Sequence, residues 1–175
     1  MQSGDDAKRK FWEIIPEGAE VMNMTSVTLH TIGLDQEIEG SSDVRSVRSE
    51  LMKLDKKTEG SKMQKLGAAP DWVVGSVHAV TQDGHVLIAS NTGSQLPAYA
   101  YGSGRVIWIV GAQKIVKDID EGTRRVYEYV LPLESERAKK AYGAPGSAVN
   151  KLLVFNREAQ PGRVTMIIVN EVLGY

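Results

Sequence analysis

Hydrophobic positions along this chain follow two patterns, one with helical spacing and one with unbroken apolar runs. Phe11, Ile14 and Ile15 recur at helical spacing behind Ser3 and Asp5, either of which can cap a helix that Pro16 ends. A second stripe, Val44, Val47, Leu51 and Leu54, predicts a helix capped by Ser42 or Asp43 and stopped by Gly60. A third helical stretch runs from about Asp118 into the Ala141 region, with a kink at Pro132. Between these lie strand patterns. A short one begins near Ala19, and the segment after Met22 reads as a strand-to-helix junction. Others fall at 71–80 and 84–90, and the strongest at 104–112, where Val106 to Val110 are all apolar. Such a run fits a strand covered on both faces, as in a parallel sheet. The late strands 151–156 and 163–173 are separated by the turn signal Arg157 to Gly162 and read as a hairpin, which would make one sheet edge antiparallel. Helices alternating with strands predict an α/β layered domain with a mixed, mainly parallel sheet flanked by helices. No repeat or linker divides the chain, so residues 1–175 read as one domain, with 143–147 a loop inside it.

In such sheets ligands bind beyond the carboxyl ends of the strands. Residues 90–104 leave one of those ends and are longer than a strand connection needs. Asn91, Thr92, Gly93, Ser94 and Gln95 offer neutral donors and acceptors around a flexible backbone; they suit either a polar ligand or a loop that caps itself. Thr25, Ser26 and Thr28 follow the first strand and suit an anion or ordinary helix capping. Lys114 ends the central strand, where it places a cation over the crevice or simply meets solvent. Glu171 shares a face with Ile167 and Val169 by period two, so its carboxyl is either perturbed and useful or at an exposed edge. Lys114 and Glu171 are the candidate catalytic residues; the two loops are the candidate ligand-binding residues.

Composition narrows the classes. A net charge of -1 gives no electrostatic case for nucleic acid or an anionic membrane. No apolar run reaches the roughly 20 residues that cross a bilayer, and no signal-peptide core is visible. The basic residues between Arg45 and Lys57 are interleaved with acids and read as a solvated face. The chain has no cysteine, so it holds no protein-ligated iron–sulfur cluster, and a reducing cytoplasm is the expected location. Its three histidines, His30, His78 and His85, have no metal-ligand spacing, so no metal site is expected. No G-x-S-x-G elbow occurs, and Tyr101 to Gly104 precedes a strand instead of opening a helix, which excludes a dinucleotide fingerprint.

Three stretches carry a family resemblance: IPEGAEVMNMTSVTL, the long run GSVHAVTQDGHVLIASNTGSQLPAYAYGSGRVIWIVGAQKIVKDIDEG, and the tail GAPGSAVNKLLVFNREAQPGRVTMIIVNEVLGY. Together, from about Ile15 to Tyr175, they resemble the lactate utilisation (LUD) domain family. The resemblance implies a fold like that of the ribose-5-phosphate isomerase and CoA-transferase superfamily. It implies a role in oxidising L-lactate to pyruvate alongside iron–sulfur partner subunits, and binding of a small anionic metabolite or cofactor. It gives Thr25, Ser26 and Thr28 a binding role. Gln82 stands where many members carry an acid and His85 where they carry a threonine, and the cysteine motifs of iron–sulfur members are missing. Fewer residues precede IPEGAEV than in typical members, as in a truncated chain or a short natural one. Beside an enzyme, the resemblance leaves a non-catalytic scaffold or binding subunit and a CoA-transferase or phosphosugar isomerase, and a homo-oligomer stays open.

Overall fold

The structure is a computed structural model that describes residues 1–175. Its centre is a five-stranded, wholly parallel sheet. The strands are β1 (Glu20–Asn23), β2 (Arg45–Ser46), β3 (Trp72–Gly75), β6 (Arg105–Gly111) and β9 (Val164–Val169), in spatial order β2-β1-β3-β6-β9. A second sheet holds β4 (Ala79–Thr81), β5 (Val86–Ser90), β7 (Ile115–Val116) and β8 (Lys151–Phe155), in order β7-β4-β5-β8, with both β5 pairings antiparallel.

The unbroken apolar run of β6 supplies both faces of the central sheet. Ile107 and Ile109 point into one cluster with Val21, Val74, Ile167 and the helix residues Phe11, Leu29, Leu34 and Ile38. Val106, Trp108 and Val110 point the other way, toward Val80, Val86 and Ile88 of the second sheet. Alternation along one strand therefore builds three layers: helices, parallel sheet, second sheet. Trp108 joins the two sheets, packing edge-on to Tyr99 at 5.6 Å and to Phe155 at 5.2 Å between ring centroids.

The helical layer comprises α1 (Gly4–Ile14), α2 (Val27–Thr31) and α3 (Leu34–Gly40). Ser3 caps α1 through a capping box with Asp6. The stripe 44–54 does not form the single helix its spacing predicts. Arg45 and Ser46 instead pair with Glu20 and Val21 as an edge strand; α4 (Val47–Leu51) starts behind the Ser46 cap, and α5 (Lys56–Ala68) behind Asp55. The reason is burial: Val44 belongs to the helix-side cluster and Val47 to the opposite one, so the chain must cross the sheet edge between them. Gly60 lies beside a kink at Glu59 and does not end α5.

The expected hairpin of the last two strands is also replaced. β8 pairs antiparallel with β5, and β9 pairs parallel with β6, so residues 156–163 cross from one sheet to the other. Arg163 pins that crossing. Its side chain is buried, donating to the carbonyls of Ala98, Tyr99 and Ser103 at 2.9–3.2 Å and pairing with Glu158. The same bonds order the segment after β5, where Ala98–Gly102 forms one wide π-helical turn and buries Tyr99. Gly75 has no side chain because a Cβ there would collide with the Tyr99 hydroxyl. Much of the length of segment 90–104 is thus a packing device. The long helical run is α6 (Ile119–Arg124), a π-helical stretch over Arg125–Val130 and α7 (Leu131–Tyr142), ended by left-handed Gly143. Pro132 lacks an N–H and lies just past the widened turns, the local adjustment a proline demands.

Candidate functional site

Three adjacent parallel strands, β1, β3 and β6, end side by side, and the residues that follow each of them converge. Lys114 closes the one-turn 3-10 helix after β6 and is 2% exposed. Its Nζ lies 3.0 Å from Thr28 Oγ1 (after β1), and 3.1 Å from both Ser76 Oγ and the Val77 carbonyl (after β3). All three partners are neutral, and Lys114 takes no part in an ion pair. Burial, then the nearby Arg125 charge, pushes the Lys114 ammonium down to about 7.

The surrounding groups are also unusual. Burial, chiefly, holds His78 down to about 4, with the Lys114 and Arg125 charges adding to the effect and Glu134 opposing it. Its Nδ1 accepts the Ala89 N–H at 3.1 Å, so the single proton of the neutral ring sits on Nε2. Arg125 donates from Nε to the His78 carbonyl at 3.0 Å and lies 4.8 Å over the Tyr129 ring. Its Nη2 is buried with no partner, and it too lacks a carboxylate. Desolvation lowers its pKa. Glu134 is fixed by a two-pronged contact to Arg137 at 2.7–2.8 Å and by the Tyr175 hydroxyl at 2.6 Å. Burial raises its carboxyl, but those hydrogen bonds outweigh burial and hold it below the usual range. A surface groove of about 370 Å³, lined in part by Gln113, Ile115, Arg125 and Tyr129, runs along this turn.

The carboxyl-terminal residues close over the same place. Thr28 Oγ1 donates to the Leu173 carbonyl, and the Gln113 amide clamps Leu173 and Gly174. Gly111 and Gly174 permit that approach: a Cβ on Gly111 would stand 2.7 Å from Leu173 N, and one on Gly174 2.6 Å from Thr28 Oγ1.

Of the residues singled out from sequence, Thr28 and Lys114 meet directly. Ser26 caps α2 through Leu29 N–H at 3.3 Å, and Thr25 accepts from Arg48 at 3.0 Å. Glu171 lies past the end of β9, exposed, and its carboxylate accepts the Gly4 N–H at 2.9 Å at the start of α1. Period two therefore does not carry it onto the buried face of Ile167 and Val169. Loop 90–95 closes largely on itself. Ser90 Oγ accepts from Gly93 N–H and donates to Gln95, which returns to the Ala89 carbonyl; Thr92 bonds Ser94, and Asn91 meets Asn150. No hydrogen bond links it to residues 25–28. Thr81 to His85 form the tight β4–β5 turn, held by Thr81 Oγ1. Side chains of His, Asp and Glu do not gather in any metal-holding group.

Sequence reasoning passed over Ser76, His78, Arg125, Glu134 and Tyr175. The readable signal was Ser76 and His78 directly behind the β3 end; Arg125 and Glu134 on a helix, and Tyr175, gave none.

No helix is long and apolar enough to cross a membrane. No curated protein matches the chain. Among solved structures it is similar to eIF2B beta from Chaetomium thermophilum, at 19% identity and a TM-score of 0.41 over 69% of this chain; it spans 42% of that one. It is also similar to a DUF162 family protein from Deinococcus radiodurans, at 15% identity and a TM-score of 0.38 over 97% of this chain and 99% of that one. The family model of the LUD domain matches residues 1–169, nearly the whole chain, and this protein belongs to the LUD domain family.

Proposed function

We propose that this protein binds a small organic acid at the strand ends around Lys114 and serves cytoplasmic L-lactate and organic-acid utilisation. One observation carries the reading: two buried or partly buried cations, Lys114 and Arg125, stand close enough to repel each other, and neither has a carboxylate partner. A buried cation without an anion costs several kcal/mol, as an order of magnitude. A ligand carboxylate would relieve that cost, with the His78 Nε2–H and the Arg125 Nη2–H as further donors. Loop 90–95 begins one residue past Ala89, whose N–H holds His78, so its part in this reading is to support His78.

The iron–sulfur chemistry of lactate oxidation belongs, in this reading, to a partner subunit, since the chain has no cysteine thiolate to hold a cluster. A CoA-transferase needs a nucleophilic carboxylate in the cleft. Glu171 is spent on the α1 terminus, which favours the binding or oxidation role.

Thermal unfolding with L-lactate, pyruvate, CoA, ribose 5-phosphate, NAD and ATP tests the proposal. A carboxylic acid at ~100 Kd should stabilise the fold by roughly 2.7 kcal/mol. The shift should vanish in Lys114→Met. No shift with any acid, or one that survives the substitution, overturns the reading.

A further inference from the structure

We infer that Lys114 acts as a nucleophilic amine, condensing reversibly with the carbonyl of a small 2-oxo acid to form an imine. The inference rests on the reading above that the strand-end cluster is an organic-acid site.

The hydrogen-bond accounting around Nζ carries it. A neutral amine has two N–H donors and one lone pair. Thr28 Oγ1 spends its own hydrogen on the Leu173 carbonyl, so toward Lys114 it can only accept. The Val77 carbonyl can only accept. Those two oxygens take both N–H groups. The third neighbour, Ser76 Oγ, has no other hydrogen-bond partner, so its hydroxyl is free to turn its hydrogen to the Nζ lone pair. The cluster thus satisfies a neutral amine completely, while an ammonium there would be satisfied in hydrogen bonds and left without a counter-charge. Thr28 and Val77 are each 1% exposed, whereas Ser76 is only half-buried. The lone pair therefore faces the more open side of the cluster.

The chemistry balances without a further reagent. Nζ attacks the carbonyl carbon, a C–N bond forms, and the carbonyl oxygen leaves as water with the two amine protons. Ser76 is placed to pass a proton between Nζ and that oxygen. Arg125 Nη2–H, buried without a partner, and His78 Nε2–H supply donors for the acid's carboxylate. Burial and the Arg125 charge leave a large share of the amine unprotonated near pH 7. The charged or titratable neighbours are Arg125, His78 and Glu134, with Tyr175 on Glu134. Of these, His78 titrates near pH 4, which leaves Lys114 as the group that sets the rate around neutrality.

The test uses the full chain, pyruvate as probe and cyanoborohydride as trap, read by intact mass and peptide mapping. The expected result is one adduct, heavier by pyruvate less one oxygen atom, confined to Lys114 and forming faster as pH rises through about 7. L-lactate, which has no carbonyl, should stabilise the protein but give no adduct. Lys114→Met should give none with pyruvate. Mapping the wild-type protein keeps the test valid even if that variant folds poorly. An adduct spread over surface lysines, or absent while pyruvate still raises Tm, overturns the covalent step and leaves the acid site standing. Absence of both adduct and stabilisation overturns both.

Discussion

Two cations are buried in this fold to nearly the same depth, and they live in opposite company. Arg163 is 4% exposed and Lys114 2%. Arg163 has the Glu158 carboxylate and three backbone carbonyls, so each guanidinium nitrogen is engaged and the charge is balanced. Lys114 has two hydroxyls and a carbonyl, and the charge that acts on it is another cation, Arg125. Burial is tolerated in both places, but only the first arrangement balances a full charge without a ligand. The difference separates a structural clamp from a site.

That contrast breaks first under truncation. Arg163→Leu strands Glu158 and three carbonyls and should cost about 3–5 kcal/mol in denaturant unfolding. Lys114→Met removes an uncompensated charge and should stay within about 1 kcal/mol of wild type. Equal losses would erase the distinction.

The next effect is in pH. The folded Lys114 releases its proton near 7, whereas the unfolded chain keeps it to about 10.5. Between those values the unfolded state binds more protons, so stability rises with pH. Raising pH from 7 to 10 should stabilise wild type by about 2–4 kcal/mol more than Lys114→Met. Parallel curves would show that Lys114 stays charged in the fold.

Smaller effects sharpen the edges of the comparison. Gly93 holds φ +87°, and an added Cβ would stand 2.6 Å from Lys151 Cδ, a flexible chain that can swing away. Gly93→Ala should therefore cost about 1 kcal/mol, nearly all of it backbone strain, in chemical unfolding. Glu171→Gln should cost about 0.5 kcal/mol by weakening the charge at the α1 terminus, with the pyruvate response unchanged. A lost response would return Glu171 to the chemistry.

Local pattern reached a long way into this molecule. The five-residue apolar run of β6, the Ser3 cap, the late strands and the helix end ahead of the 143–147 loop are all short-range signals, and all are present in the fold. What local pattern could not reach was pairing. Strands β8 and β9 are each legible, but their partners, β5 and β6, are about 60 residues away in sequence. The choice rests on Arg163 gripping carbonyls of a distant segment. The 44–54 stripe failed for a related reason: helical spacing says that two residues share a face, yet Val44 and Val47 are claimed by different sides of a sheet. At the site, strand ends pointed to Thr28 and Lys114. Glu134 and Tyr175 belong to elements whose meeting only the fold decides.

The aromatic row between the sheets has an optical consequence. Trp108 is almost wholly buried, and its indole N–H finds no partner, while Trp12 and Trp72 are partly exposed. Its fluorescence should be the bluest of the three tryptophans and the hardest to quench from solvent. Any motion that parts the second sheet from the first would therefore be visible as a red shift of that one emitter, with no label attached.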